Sequence, residues 1–182
     1  MRIILASASP RRRELLSQIV KGFEVIPAVG EERADISFPP ELFARSLAEN
    51  KCDEVFEKNR DALVIACDTI VVYGGKILGK PKDKADAVST LKMLSGNAHS
   101  VITGVCVRCG NKKIIDSEST EVFFNDLSEE FIKQYVAGGS PMDKAGSYGI
   151  QDGGVVKNFT GSYTNVVGLP VELIKKIFEE VL

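Results

Sequence analysis

Tryptophan is absent from this chain, and histidine occurs once, at His99. A single imidazole gives His-based catalytic triads and multi-histidine metal sites little to build on. Aromatic residues make up only 7% of the sequence, and no sign of charge dominates: 23 Lys and Arg stand against 25 Asp and Glu, a net charge of −2. No global field would hold such a protein on nucleic acid or an anionic membrane, so any grip on phosphate must be local. Long apolar runs are missing as well. The apolar stretch Ile3-Ile4-Leu5-Ala6 is far too short for a signal peptide or a membrane span. The expectation is a cytoplasmic protein with no membrane partner and no stable nucleic-acid partner. In that compartment the four cysteines read as free thiols rather than a disulfide framework. The acceptor-like triplet Asn158-Phe159-Thr160 has no meaning without a secretory signal.

What is present suits an ordinary globular domain. The 182 residues, 44% apolar and 26% charged, fit a single domain over 1–182, or one domain with two lobes, long enough for a real core. Periodicity predicts strands at Ile3–Ala6 and Phe23–Ile26, and a continuous apolar strand from Ala62 that runs on to Tyr73. A helix is expected over Pro10–Val20, with Leu15, Leu16 and Ile19 on one face. Another spans about Pro40–Lys58, with Leu42, Phe43, Leu47 and Val55 as its apolar stripe. Asp83–Leu94 reads as a helix, and Ser128 opens a further one through Val136. Two long strands, near His99–Cys109 and Lys112–Phe124, are joined by Gly110-Asn111, a hairpin signal. Glycine-rich loops are expected from Gly138 to Gly161, and Pro170 starts a C-terminal helix. Long antiparallel strands mixed with βα units argue for an α/β fold on a mixed sheet.

Several segments carry chemistry. Ser7-Ala8-Ser9-Pro10-Arg11-Arg12-Arg13 follows a strand directly, with Ser9 as a good N-cap and Pro10 at the first helical position. Arginines at a helix start are locally unfavourable, and an anion among them resolves the conflict. A solvated basic helix start explains this segment alone equally well. Asp68-Thr69 emerges toward the carboxyl end of the apolar strand, where ligands collect in open α/β sheets. A carboxylate there can bind a hard cation or take a proton from water. Taken singly, a loop-starting Asp is the plainer account. Glu31 and Glu32 could complete an acidic metal site with Asp68, though by themselves they read better as surface acids.

Two motifs mislead. Gly74-Gly75-Lys76-Ile77-Leu78-Gly79-Lys80-Pro81 nearly spells a P-loop, but Pro81 stands where the magnesium-binding hydroxyl belongs. Gly74-Gly75 is instead read as a turn, and Lys80 as a candidate phosphate contact held by Pro81. Cys106-Val107-Arg108-Cys109 looks like half a zinc knuckle. No second pair stands at usual spacing, and residues three apart in a strand face opposite sides. His99 is read as a polar residue at a strand start. The glycine density of Asp143–Gly154 allows close backbone approach to a ligand, and Gln151 offers both a donor and an acceptor to a base edge.

In order and spacing, the stretches Leu5–Arg12, Leu47–Lys51, Asp68–Val71, Ile77–Asp83, Leu94–His99, Lys144–Gln151 and Gly161–Pro170 together resemble the Maf family of nucleotide pyrophosphatases, over essentially the whole chain. The resemblance implies an α/β fold with a mixed, twisted sheet and flanking helices, two lobes around a cleft, like that of inosine triphosphate pyrophosphatases. It implies hydrolysis of a nucleoside triphosphate to the monophosphate and pyrophosphate with a divalent cation, Mg2+ or Mn2+. On it, Asp68 matches the family's proton acceptor, and Ser7, Arg12, Glu32, Lys51 and Lys80 match its phosphate and metal positions, with the metal on Glu32 and Asp68. Arg11, Thr69 and Gln151 match positions tied to substrate choice in the branch acting on dTTP and UTP. Asp152 departs from the pattern, in which a glycine commonly follows the glutamine. The competing expectations are a pyrophosphatase for 7-methyl-GTP or other modified purines, and a nucleotide-binding cell-division regulator without turnover. A homodimer is left open.

Overall fold

The computed structural model describes residues 1–30 and 34–181. Seven strands among the described residues form one mixed sheet in the order β2-β1-β3-β5-β6-β7, with β4 paired to β3. They are β1 Arg2–Leu5, β2 Glu24–Val25, β3 Ala62–Tyr73, β4 Lys76–Leu78, β5 Ala98–Cys109, β6 Lys112–Phe124 and β7 Val156–Thr160. β1 runs parallel to β2 and β3, whereas β4 and β7 pair antiparallel with β3 and β6. The helices are α1 Pro10–Ser17, α2 Pro40–Glu57, α3 Lys84–Leu94, α4 Glu129–Ala137, α5 Tyr163–Val167 and α6 Val171–Val181.

The chain divides into two compact units. One comprises Met1–Thr69, Ile102–Glu118 and Thr164–Leu182, the other Ile70–Val101 and Ser119–Tyr163. In the first unit the period of β3 sorts its side chains between two cores. Leu63, Ile65 and Cys67 join the cluster of α1 and α6, while Ala62, Val64 and Ala66 join the cluster of α2. A strand buried on both faces reads as a continuous apolar run, which is how the sequence writes it.

α2 presents Ala44, Leu47, Ala48, Cys52, Val55 and Phe56 to the core, and Leu42 is 45% exposed. Of the expected stripe, Leu47 and Val55 are buried as expected, Phe43 only partly, and Leu42 faces solvent. A Cβ built on Gly104 of β5 would fall 2.2 Å from the Ala44 carbonyl oxygen, so helix and strand backbones meet there and small residues must line the contact. α1 ends at Ser17, earlier than its apolar pattern, because Gln18 and Ile19 N–H groups close three-residue turns onto Leu15 and Leu16.

In the second unit α3 starts at an Asp83 cap that accepts the Asp86 N–H at 2.8 Å, and it buries Ala87, Leu91 and Leu94. Gly74 and Gly75, at φ +56° and +74°, make the β3–β4 hairpin turn, which settles that segment as no P-loop. Strand β7 corrects the expectation of loop through Gly161. Its burial is only partial at Val156 and absent beyond, so it carries none of the apolar alternation that marks a strand. α5 is likewise unmarked, being five residues long.

Candidate active site

β1 delivers the first polar residues. Its last pair with β3 is Leu5 opposite Ile65, and the chain then leaves the sheet through Ser7 to the Ser9 cap of α1. Ser9 Oγ accepts the Arg12 N–H at 3.4 Å, and Pro10 occupies the first turn. Ser7 is buried. Its Oγ accepts the Ser9 N–H at 3.2 Å and an Arg12 Nη1–H at 3.2 Å.

Arg12 is the tie of this region. Besides Ser7, its Nε donates to the Gly168 carbonyl at 2.7 Å and its Nη2 to Thr69 Oγ1 at 3.1 Å. The arginine expected to reach toward phosphate therefore also clamps its own segment to two others distant in sequence, at Thr69 and Gly168. Gly168 has φ +120°, and a Cβ on it would press within 3.4 Å of both Thr69 Oγ1 and Arg12 Nε, so the clamp needs glycine there. Behind Thr69 lies Thr103 at 2.9 Å, which is fully buried and itself 3.0 Å from the Asn165 carbonyl. Arg11 sits half-buried in the same first turn of α1.

Asp68 lies within β3 rather than at its end, because the strand continues to Tyr73 after its parallel partner β1 has stopped. The expected location is thus met by the end of β1, not by the end of β3. In step with Val64 and Ala66, Asp68 faces the α2 side, while Thr69 faces α1 and Arg12. Lys51 stands on the inner stripe of α2, one turn from Leu47 and Val55, and its ammonium forms an ion pair with Asp68 Oδ1. Both side chains are largely shielded, at 20% and 11% exposure. Immediately before the aspartate, burial pushes the Cys67 thiol up to about 12, so it stays protonated and unreactive.

The remaining candidates divide. Glu31 and Glu32 lie outside the described residues. Among the described residues no three His, Cys, Asp or Glu side chains gather as a metal cage. Lys80 and Gln151 are exposed and belong to the second unit. Lys80 precedes a buried Pro81, and the Gly79 carbonyl before it accepts the Gly146 N–H at 3.1 Å. Gln151 rides on a short turn, Ile150–Asp152, that Asp152 staples. One oxygen of Asp152 accepts from Tyr135 Oη at 2.5 Å and Ser140 Oγ at 2.6 Å, and Tyr135 Oη in turn accepts the Gly149 N–H at 3.0 Å. The charge that departs from the family pattern is therefore engaged by two hydroxyls.

Cys106 is fully buried in the α2 cluster and Cys109 packs on the opposite cluster, as strand alternation requires, so the two do not form a chelating pair. His99 stands at the start of β5, as its second residue, and is buried. Its Nε2 lies 2.7 Å from Tyr148 Oη, and its ring stands edge-on to Phe124 and Tyr148. Burial lowers its pKa to about 4, leaving it neutral. Thr103, Gly168, Tyr135 and Ser140 are the contributors that residue type alone did not single out. Only Gly168 falls within a stretch carrying the family resemblance.

Relatives of the chain bear on what this geometry means. The family model described as "Maf-like protein" matches residues 2–181. A protein of Aquifex aeolicus named dTTP/UTP pyrophosphatase is 48% identical, over 99% of this chain and 95% of its own length. Proteins of the same name from Thermococcus gammatolerans and Clostridium novyi are 47% and 46% identical, over 97% and 98% of this chain and 95% and 96% of their own. Among solved structures, the Ham1 protein of Staphylococcus aureus superposes with a TM-score of 0.58 at 14% identity, covering 99% of both chains. A HAM1 protein of Coxiella burnetii gives 0.52 at 15% identity, again over 99% of both. At such identity the likeness concerns the fold alone.

Proposed function

We propose that this chain, which belongs to the Maf-like protein family, hydrolyses dTTP and UTP to their monophosphates and pyrophosphate. The observation that carries the reading is the Lys51–Asp68 ion pair set beside the Ser7–Arg12–Thr69 network at the end of β1. β3 thus carries a shielded carboxylate paired with an ammonium toward α2 and, at the next residue, a hydroxyl joined through a guanidinium to a serine toward α1, a set of groups that supports cutting a phosphoanhydride without a covalent nucleophile. The full-length similarity to proteins named for this activity supports the same reaction.

In this reading an incoming triphosphate competes for Lys51 and releases the Asp68 carboxylate. Asp68 then orients or deprotonates water. The water oxygen bonds to the α-phosphorus as the α–β bridging bond breaks, and pyrophosphate carries away that electron pair. Ser7, Arg11, Arg12 and Lys80 are assigned to the phosphates, and Thr69 and Gln151 to the base. The donor set fits Mg2+ or Mn2+: one hard carboxylate on Asp68, with substrate oxygens to supply more, is how such ions are usually held. Glu32 is proposed as a second ligand on the resemblance. The ion would neutralise charge that develops on the phosphates. No helix among the described residues is long and apolar enough to cross a membrane.

The test is pyrophosphate release from UTP, dTTP, 7-methyl-GTP and ITP with Mg2+ or Mn2+. UTP and dTTP should lead. A roughly tenfold preference for either purine would overturn the branch while leaving the reaction, and no release from any of these substrates would sink the reaction itself.

A further inference from the structure

Hydroxyl protons can be placed in the Arg12 network because most of its partners have only one role. The Asn165 carbonyl can only accept, so Thr103 spends its single proton there, across 3.0 Å. The 2.9 Å contact between Thr69 and Thr103 then has one solution, in which Thr69 donates and Thr103 accepts. Arg12 Nη2 can only donate, and it takes one lone pair of Thr69 at 3.1 Å. Thr69 is left with one lone pair and no proton to offer. Ser7 is the reverse case. Both its lone pairs are taken, by the Ser9 N–H and by Arg12 Nη1, and its proton is what remains.

The two hydroxyls therefore ask for opposite ligand groups. Ser7 suits an anionic oxygen. Thr69, half-buried, repels one and needs a donor. We propose that Thr103 is a positioning residue that fixes Thr69 as an acceptor-only contact, and that this contact selects bases carrying an imide N–H, the uracil and thymine class, over cytosine. The inference rests on the dTTP/UTP reading above and adds its physical cause. Uracil and thymine carry an imide N–H between two carbonyls. Cytosine has a bare nitrogen there, which would set lone pair against lone pair. Its amino group is a donor, but it stands where uracil has a carbonyl, so a register set by the imide leaves it mismatched. An unmatched polar contact of this kind costs on the order of tenfold or more.

The test is kcat/KM for UTP and CTP with wild type, Thr103→Val and Thr103→Ser. Wild type should prefer UTP by about tenfold or more. Thr103→Val keeps the shape but frees the Thr69 proton to turn outward, so the UTP:CTP ratio should fall toward one, and Thr103→Ser should restore it. A purely structural role would lower both substrates together and leave the ratio alone. An unchanged ratio in a Thr103→Val protein that still hydrolyses UTP overturns the inference and spares the reaction, as does a serine variant that behaves like valine. A wild type with no UTP preference over CTP overturns it without any variant, which keeps the test decisive even if Thr103→Val fails to fold. Absence of UTP and dTTP turnover in wild type would instead fell the reaction reading, and the inference with it.

Discussion

Asp68→Asn separates chemistry from architecture at the centre of the site. The substitution keeps the side chain's size and leaves an amide oxygen that can still accept from Lys51, but it removes the charge and the basicity. In kcat the expected loss is at least ~10²-fold, the scale of losing a positioned general base. Stability should fall too. Lys51 is only 20% exposed and Asp68 11%, so the variant takes the carboxylate away from a largely shielded ammonium. Breaking a fully buried pair costs about 3–5 kcal/mol, and partial exposure with a retained hydrogen bond reduces this to roughly 1–3 kcal/mol. For a chain of this size about 2 kcal/mol corresponds to a Tm drop of roughly 4–8 °C. The double variant Lys51→Gln/Asp68→Asn puts two neutral amides together, so its Tm should recover most of that loss while turnover stays down. Thermal melts and pyrophosphate release on the wild type, the single variant and the double variant decide the matter. If the double variant regained activity along with stability, or if Asp68→Asn turned over UTP near the normal rate, Asp68 would be a structural partner of Lys51 and not part of the reaction.

Two further outcomes are expected. His99 has an ordinary pKa of 6.5 and a folded value of about 4, lowered by burial. Between these values the unfolded chain binds a proton that the folded one refuses, so stability should fall as pH drops from about 6.5 toward 4, by about 3 kcal/mol in all. Urea melts at several pH values should show the slope in wild type and a shallower one in His99→Gln; equal slopes would mean that His99 does not govern it. Cys106→Ala/Cys109→Ala should keep its activity with magnesium supplied, because the two thiols belong to opposite cores. Stoichiometric zinc in the purified protein, lost in that variant together with folding, would contradict this.

Much of the fold was legible because burial on both faces leaves a plain trace. The run from Ala62 to Ala66 has the pattern of a covered strand, and Gly74-Gly75 and Gly110-Asn111 mark the turns that follow. What stayed hidden depends on contacts between distant segments. The small residues of the α2 stripe make sense only once Ala44 is seen against Gly104. β7 is exposed along most of its length, so no periodicity announces it. The site shows the same division. Ser7 and Arg12 could be picked out by residue type and by place after a strand, and Asp68 by a carboxylate that breaks an apolar run. The inward commitment of Arg12 to Gly168 and Thr69 could not, since a local window holds no information about partners 156 and 57 residues away.

The parity of β3 shows how such a site is specified without a dedicated motif for each contact. Adjacent residues on a strand point to opposite faces, so Asp68 is committed to α2 and Lys51 by the same alternation that commits Thr69 to α1 and Arg12. The apolar residues before them enforce that choice: Ala66 and Val64 are bound into one core, Cys67 and Ile65 into the other. Sliding the strand by one residue would exchange the two faces. The aspartate would then meet the arginine clamp and the threonine would meet the lysine, while every buried side chain moved into the wrong core. Hydrophobic burial along the run from Ala62 to Cys67 thus holds the two polar residues after it in register. Packing energy far from any substrate decides which hydroxyl meets Arg12 and which carboxylate meets Lys51.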